Sequence, residues 1–334
     1  KVNPPSFVLR SFWPRAGAGL LIKSFMKRLV NNLKGKTIGV LMGGLSPERE
    51  ISIITGNSVL EAINRKGLNA LPIDVDHNIG ETLKSSQIDL AFLALHGTFG
   101  EDGCIQGLLE YFKIPYTGAG VIGSALAYDK LKSKEILKFH GIPTANYEVF
   151  YKNQKVYRKL NLPVVVKPTN QGSSLGVSIV TEEKDWDSAL KTAFAYSHEV
   201  IAEEFINGKL LAIGMNGIKP MPIVQIRPKS GFYDYEAKYT SGKTEYICPA
   251  VIGEDEEDSC RKIATQVYQL LRGRGFPRVD VILDSHGVPQ VLEMNTIPGM
   301  TPNSLLPMAA QKMGLEFDDL VVEILKTAQR DYLE

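Results

Sequence analysis

The chain has 334 residues, 44% hydrophobic and 22% charged, a globular composition long enough for two or three domains. Its 30 Gly and 18 Pro exclude collagen-like and low-complexity chains. A formal net charge of +1, from 38 Lys+Arg against 37 Asp+Glu, gives no overall attraction to nucleic acid or an anionic membrane.

The first acidic residue is Glu48, and eight Lys+Arg precede it, ending at Lys36. Residues 1–36 are read as a basic arm outside the fold, appended rather than targeting. Their longest apolar run, 16–22, is far short of the roughly 20 residues of a membrane span, and no small-residue cleavage site follows. The rest of the chain then holds 30 basic and 37 acidic residues, a net of −7.

From 37 to 120 the pattern predicts a doubly wound α/β domain. An apolar strand over 37–42 ends in Gly43-Gly44, and helical spacing over 52–66 stops at Gly67. Strands over 70–75 and 90–95 follow, the latter ending at His96, where such sheets bind ligands. From 121 to 203 a central α+β domain is expected. Its helices lie over 121–128 and 131–139, then a strand over 162–167, a glycine-rich turn over 168–176, a strand over 177–180, a helix over 182–194 and a strand over 200–205. From 204 to 334 hairpin turns at Asn216-Gly217 and at 284–287 predict an antiparallel C-terminal domain. Helices over 258–271, 304–313 and 318–332 complete it. Cys104, Cys248 and Cys260 are far apart with no CxxC, which argues against disulfides or structural zinc and for a cytoplasmic setting.

Chemistry concentrates in a few places. On the hairpin predicted around 284–287, Asp280 near the start of one strand opposes Glu293 and Asn295 near the end of the other. This all-oxygen set suits Mg²⁺ or Mn²⁺, or else is a solvated, ion-paired face, with Arg278 nearby to stabilise developing negative charge. Lys167 precedes the loop QGSSLG at 171–176, where glycine backbone and the Ser173 and Ser174 hydroxyls could close over an anion, or simply form a turn. The run Lys130-Leu-Lys-Ser-Lys134 supports a phosphate site or decorates a solvated helix face. FYDYEAKY at 232–239 reads as a lid over a ligand or a surface loop. Ser304 stands at a helix N-cap, where it could cap the helix or mark a carboxylate site.

These stretches resemble the D-alanine–D-alanine ligase family of the ATP-grasp superfamily. The resemblance covers 37–334 and rests on MGGLSPEREIS at 42–52, ALHGTFGEDG at 94–103, VKPTNQGSSLG at 166–176, the segment 233–239 and LEMNTIPGMT at 292–301. It implies an ATP-grasp fold, with the N-terminal α/β domain followed by two α+β domains that sandwich ATP. It implies ATP as co-substrate, two Mg²⁺ or Mn²⁺ ions, two D-alanine substrates, an acyl-phosphate intermediate and a dipeptide for peptidoglycan. A homodimer without nucleic-acid or membrane partners is also implied.

By the same resemblance, Glu48 would bind the first ammonium and join Ser173 and Tyr239 in one hydrogen-bonded set. Arg278 would stabilise the tetrahedral oxyanion, while Asp280, Glu293 and Asn295 would hold metal. Lys130, Lys167, Ser174 and Lys238 would serve the ATP phosphates, and the hinge with Glu203, Phe205 and Ile206 would receive adenine. His96 and Gly299 would line the substrate pocket, with Ser304 and the Leu305 backbone taking the second carboxylate. Tyr239, where the D-lactate-using branch has Phe, favours an amine acceptor. One position departs from the family: Leu210 stands where an acidic residue usually holds the ribose. The alternatives are a D-alanine–D-lactate or other carboxylate–amine ligase, or a non-catalytic nucleotide-binding homologue.

Overall fold

Three hydrogen-bonded sheets, each drawn from one stretch of chain, carry the structure; the computed structural model describes residues 29–229, 240 and 242–332. The first sheet is parallel, in the order β2-β1-β3, and contains β1 (Thr37–Gly43), β2 (Asn69–Val75) and β3 (Leu90–Leu93). Helix α1 (Arg49–Arg65) connects β1 to β2 and α2 (Ile79–Ser86) connects β2 to β3, so the chain winds to both sides of a central β1. Six of the seven β1 residues are buried, as a covered parallel strand requires. Thr55, Val59, Ala62 and Ile63 form the buried stripe of α1. Gly56 lets this helix lie close on the sheet, because a Cβ there would sit 2.5 Å from Met42 Cβ.

After α3 (Cys104–Tyr111), α4 (Val121–Tyr128) and α5 (Lys130–Phe139) comes an antiparallel sheet in the order β4-β7-β5-β6. Its strands are β4 (Tyr147–Tyr151), β5 (Val164–Pro168), β6 (Ser178–Val180) and β7 (Glu199–Glu204), with α6 (Trp186–Phe194) packed on one face. The third sheet runs β11-β10-β8-β12-β13, with β9 paired to β8. It comprises β8 (Gly208–Asn216), β9 (Lys219–Pro220), β10 (Val224–Pro228), β11 (Thr244–Ile247), β12 (Arg278–Asp284) and β13 (Pro289–Asn295), and α7 (Glu254–Leu270) lies against it. Helices α8 (Leu305–Lys312) and α9 (Phe317–Lys326) end the fold.

Both hairpins predicted from turn residues are present, β8–β9 at Gly217, whose φ is +56°, and β12–β13 at Gly287, whose φ is +74°. Helix α7 starts four residues earlier than predicted. Glu254, Asp255, Glu256 and Glu257 occupy its first turn, and Gly253 N donates to Glu256 Oε2 at 2.8 Å, so charge and capping start the helix ahead of its apolar spacing. The last helix stops at Lys326 rather than 332. Among the described residues no helix is long and apolar enough to cross a membrane.

Packing runs across the limits expected at 36, 120 and 203. Residues 29–33 form a helical turn, and Leu29 and Leu33 are buried with Ile38, Val59 and Ile63, so the end of the basic arm belongs to the core. Ala127, Leu137 and Ile142 are buried with Leu211, Ile213 and Val279 of the third sheet. Leu320, Val321 and Leu325 of α9 pack in the cluster that holds Ile38, Val40 and Val59 of the first. At the edge of that seam Arg65 pairs with Asp318 at 2.8 Å and Lys66 with Asp319 at 2.5 Å. Leu33→Ala is expected to cost about 2 kcal/mol through lost burial and a partly relaxed cavity, read as a lower urea midpoint; an unchanged midpoint would detach 29–33 from the core.

Candidate active site

The β12–β13 register sets Arg278 opposite Asn295 and Asp280 opposite Glu293. Residues two apart share a strand face, so all four stand on one side of the hairpin. A bulge at Leu292 follows, where the pairing steps from Asp280–Glu293 to Val281–Val291. Arg278 grips Asp280 with both ends of its guanidinium, Nε to Oδ1 and Nη2 to Oδ2, each at 2.7 Å. Lys130 Nζ lies 3.1 Å from Glu293 Oε2. Burial works against the Lys130 ammonium, but Glu293, helped by Glu101 and Glu203, outweighs it and holds its pKa above the ordinary value. Asn295 Oδ1 accepts from Ile297 N at 3.1 Å.

The two readings of this face therefore combine: the carboxylates converge, and bound cations of the chain neutralise them. Among the described residues no three His, Cys, Asp or Glu side chains gather as a metal cage. Two carboxylates and a carboxamide fit Mg²⁺ or Mn²⁺ nonetheless, because such ions complete their shell with water and substrate phosphate.

Glu48 is the second centre. It occupies the N-cap of α1 without capping it, and its side chain reaches the 168–176 loop, where Ser173 Oγ donates to its Oε1. Gly97 and Gly172 close on the other oxygen: a Cβ at either would lie 2.7 Å and 2.5 Å from Glu48 Oε2. Ser173 and Ser174 hold φ of +46° and +62°, a left-handed pair that turns the loop back over Glu48. Lys130 fastens the same loop by donating to Gln171 O at 2.8 Å. Lys167 does not reach toward the loop; its Nζ is 2.8 Å from Glu203 Oε1.

His96 is buried, with Nε2 3.3 Å from Thr55 Oγ1. Burial, reinforced by Arg278, pulls its pKa down to about 4, so the imidazole is neutral at physiological pH. Ser304 does not cap α8. Its Oγ instead accepts from Thr301 N at 3.0 Å and touches Thr301 Oγ1 at 2.8 Å, tightening the turn that carries Gly299. The capping role is thus excluded, and no side chain of the cap covers the first N–H groups of α8.

One cleft of about 770 Å³ collects Glu48, His96, Lys130, Ser173, Arg278, Glu293, Asn295, Gly299, Ser304 and Leu305. Lys167, Ser174, Glu203, Phe205, Ile206 and Asp280 are outside its lining. Phe205 is partly exposed at the hinge, where its N donates to Pro163 O at 3.1 Å. Leu210 packs against the apolar cluster that holds Ala212 and Leu305. Lys238 and Tyr239, with the rest of 232–239, lie outside the described residues.

Sequence reading missed Glu101 and Thr55. Glu101 lines the cleft, buried, and accepts from Gly97 N at 2.7 Å. Its place in the ALHGTFGEDG stretch was the available signal. Burial and then Glu48 raise its pKa to about 8, against the pull of the Gly97 N–H and Lys130. The folded chain keeps this proton where the unfolded chain has lost it, so stability falls as pH rises from about 5 through 8. Glu101→Gln keeps an acceptor for Gly97 and removes the slope. Thermal unfolding should find the two proteins alike at pH 5 and the variant more stable at pH 8; a constant difference would mean that Glu101 is ionised throughout.

Two family models match the chain: "D-ala D-ala ligase N-terminus" over residues 78–119 and "D-ala D-ala ligase C-terminus" over 136–326. The D-alanine--D-alanine ligase of Syntrophotalea carbinolica is 44% identical over 297 residues, covering 89% of this chain and 97% of that protein. The one from Pelotomaculum thermopropionicum is 42% identical over 308 residues, covering 88% and 97%. A crystal structure of the Bacillus anthracis D-alanine--D-alanine ligase complexed with ATP aligns with a TM-score of 0.79 at 33% identity, covering 88% of this chain and 97% of that one. With a matching C-terminal model over more than half its length, close relatives along nearly all of it and the predicted sheets in place, the chain belongs to the D-alanine–D-alanine ligase family and has its ATP-grasp fold.

Proposed function

We propose that the chain joins two molecules of D-alanine into D-alanyl-D-alanine, driven by ATP, as a step toward peptidoglycan. The observation that carries this reading is the meeting, in one cleft, of the Arg278–Asp280–Glu293–Asn295 face with Glu48 and the N-terminus of α8. Those are the parts needed to hold an ammonium, a phosphoryl group and a second carboxylate together.

Glu48, held by Ser173, takes the ammonium of the first D-alanine and leaves its carboxylate toward Arg278 and the hairpin. A carboxylate oxygen attacks the γ-phosphorus of ATP, the bond to the β–γ bridging oxygen breaks, and ADP leaves an acyl phosphate. Ser304 and the Leu305 N–H hold the carboxylate of the second D-alanine, aiming its amine, once deprotonated, at the acyl carbon. Arg278 stabilises the resulting tetrahedral oxyanion, and collapse expels phosphate. Lys130, Lys167, Ser174 and Lys238 serve the ATP phosphates, while the hinge of Glu203, Phe205 and Ile206 receives the base. Asp280, Glu293 and Asn295 would hold Mg²⁺ or Mn²⁺, which neutralises charge on the transferring phosphoryl group. His96, neutral, lines the pocket with Gly299. Tyr239 supports an amine rather than a hydroxy acid as acceptor. A homodimer and a cytoplasmic location, where ATP is supplied, belong to the same reading.

Coupled ADP release over a panel of D-amino and D-hydroxy acids tests it, with product identification. D-alanine and a divalent ion should both be required and D-alanyl-D-alanine should be the product. Faster turnover with D-lactate as acceptor would replace the reading, and ATP binding without turnover would end it. Arg278→Ala is expected to lower kcat by on the order of 10²–10³-fold or more while calorimetry still finds ATP bound; retained activity would remove Arg278 from its role.

A further inference from the structure

At the end of β7, Glu203 meets two ammonium groups through the same oxygen. Lys167 Nζ is 2.8 Å and Lys134 Nζ 3.1 Å from Oε1. All three residues are more than nine-tenths buried: Lys134 is 1% exposed, Glu203 3% and Lys167 8%. Oε1 has no well-aligned hydrogen bond, so charge rather than a directed bond holds it. Burial works against an ionised Glu203, yet the two lysines keep its carboxyl below the ordinary range. Burial also lowers Lys134 to about 8, with Glu203 opposing the shift and Lys167 adding to it, which leaves the ammonium charged at neutral pH. The cluster thus carries two positive charges for one negative.

The two lysines are not equivalent. Lys134 has a second tie: Nζ donates to Thr144 Oγ1 at 2.6 Å, and Thr144 Oγ1 donates to Val291 O at 2.7 Å, on the strand that carries Glu293. Among the described residues no such tether is seen for Lys167, which ends on a flexible four-carbon stem at the strand leading into the 168–176 loop. A lysine that swings to a triphosphate must give up Glu203, and a buried carboxylate without a counter-ion is strongly unfavourable. Helical spacing puts Lys134 one turn after Lys130, on the same side of α5.

We propose that Lys134 is a positioning residue for ATP, a resident counter-ion that stays with Glu203 and so frees Lys167 to meet the phosphates. The inference rests on the phosphate role given to Lys167 above. While Lys167 stays on Glu203 the two form a neutral pair and Lys134 is surplus; it becomes necessary when Lys167 turns away.

Lys134→Met in the full chain tests this, with ATP and adenosine affinities by calorimetry, KM values and thermal unfolding. ATP affinity is expected to fall about tenfold or more, with KM for ATP rising in step. Adenosine affinity, KM for D-alanine and Tm should stay close to those of the unsubstituted chain. Equal losses for adenosine and ATP would mean general damage to the hinge and overturn the proposal, as would unchanged ATP affinity. Lys167→Met separates this inference from the reading beneath it. If Lys167→Met leaves ATP affinity intact, the phosphate role of Lys167 falls; if it weakens ATP while Lys134→Met does not, only the counter-ion role of Lys134 falls. Should Lys134→Met fail to fold, Thr144→Val, which loosens the lysine but keeps its charge, is expected to give a severalfold loss confined to phosphate-bearing ligands. No loss there would equally sink the idea.

Discussion

A slip of one residue between β12 and β13 would carry Arg278, Asp280, Glu293 and Asn295 to the opposite face of the hairpin and leave the cleft without its charge. The register is held from the side away from the cleft. Val279, Val281, Leu283, Val291 and Met294 are buried in one cluster with Leu211 and Ile213 of β8, and burial of each such side chain contributes about 1.5–3 kcal/mol. The spacing along β13 shows how tightly core and site are coupled. Val291 and Met294 are three apart, not two, yet both are buried in that core, because the bulge at Leu292 absorbs the odd residue. Glu293 and Asn295 then fall on the cleft face; an unbulged strand would send Glu293 into the core beside Val291.

Charge around the site follows one pattern. Lys130 sits on Glu293, Arg278 on Asp280, and Lys167 with Lys134 on Glu203. In a body of net −7, these cations are held against the chain's own carboxylates. A buried charge without a partner is strongly unfavourable, and these pairs keep each cation and carboxylate of the region matched.

Apolar runs and turn residues made much of the fold legible in advance. The strands around 37–42, 70–75 and 90–95, and both hairpins, follow from patterns that depend only on neighbours in sequence. The edge strands β4 and β11, the inner strand β10 and the short helices α2 and α3 did not stand out, since such short elements have little periodicity to read. The site was legible as a set of motifs, and their joining in one cleft is a matter of tertiary structure. Burial decided the rest. The Lys130-Leu-Lys-Ser-Lys134 run suits a solvated helix face, and Lys132 is indeed on the surface, but Lys130 and Lys134 turn inward to carboxylates. Ser304 reads as a helix cap and is instead spent on Thr301. Glu101 carries no pattern of its own; its proton comes from the desolvation around it and the nearness of Glu48.

The seam between α1 and α9 joins residues 253 positions apart, as the Arg65–Asp318 contact shows. Leu320, Val321 and Leu325 complete the cluster in which Val59, Ala62 and Ile63 of α1 cover Ile38, Val40 and Phe92 of the first sheet. During synthesis the sheet and α1 emerge first, and the apolar surface that they leave for α9 must wait while nearly all the rest of the chain is made. Long-range closure of this kind slows folding and exposes the nascent chain to aggregation. Helix α9 is therefore the step that finishes the first domain, and its loss would be felt there before it reached the chemistry.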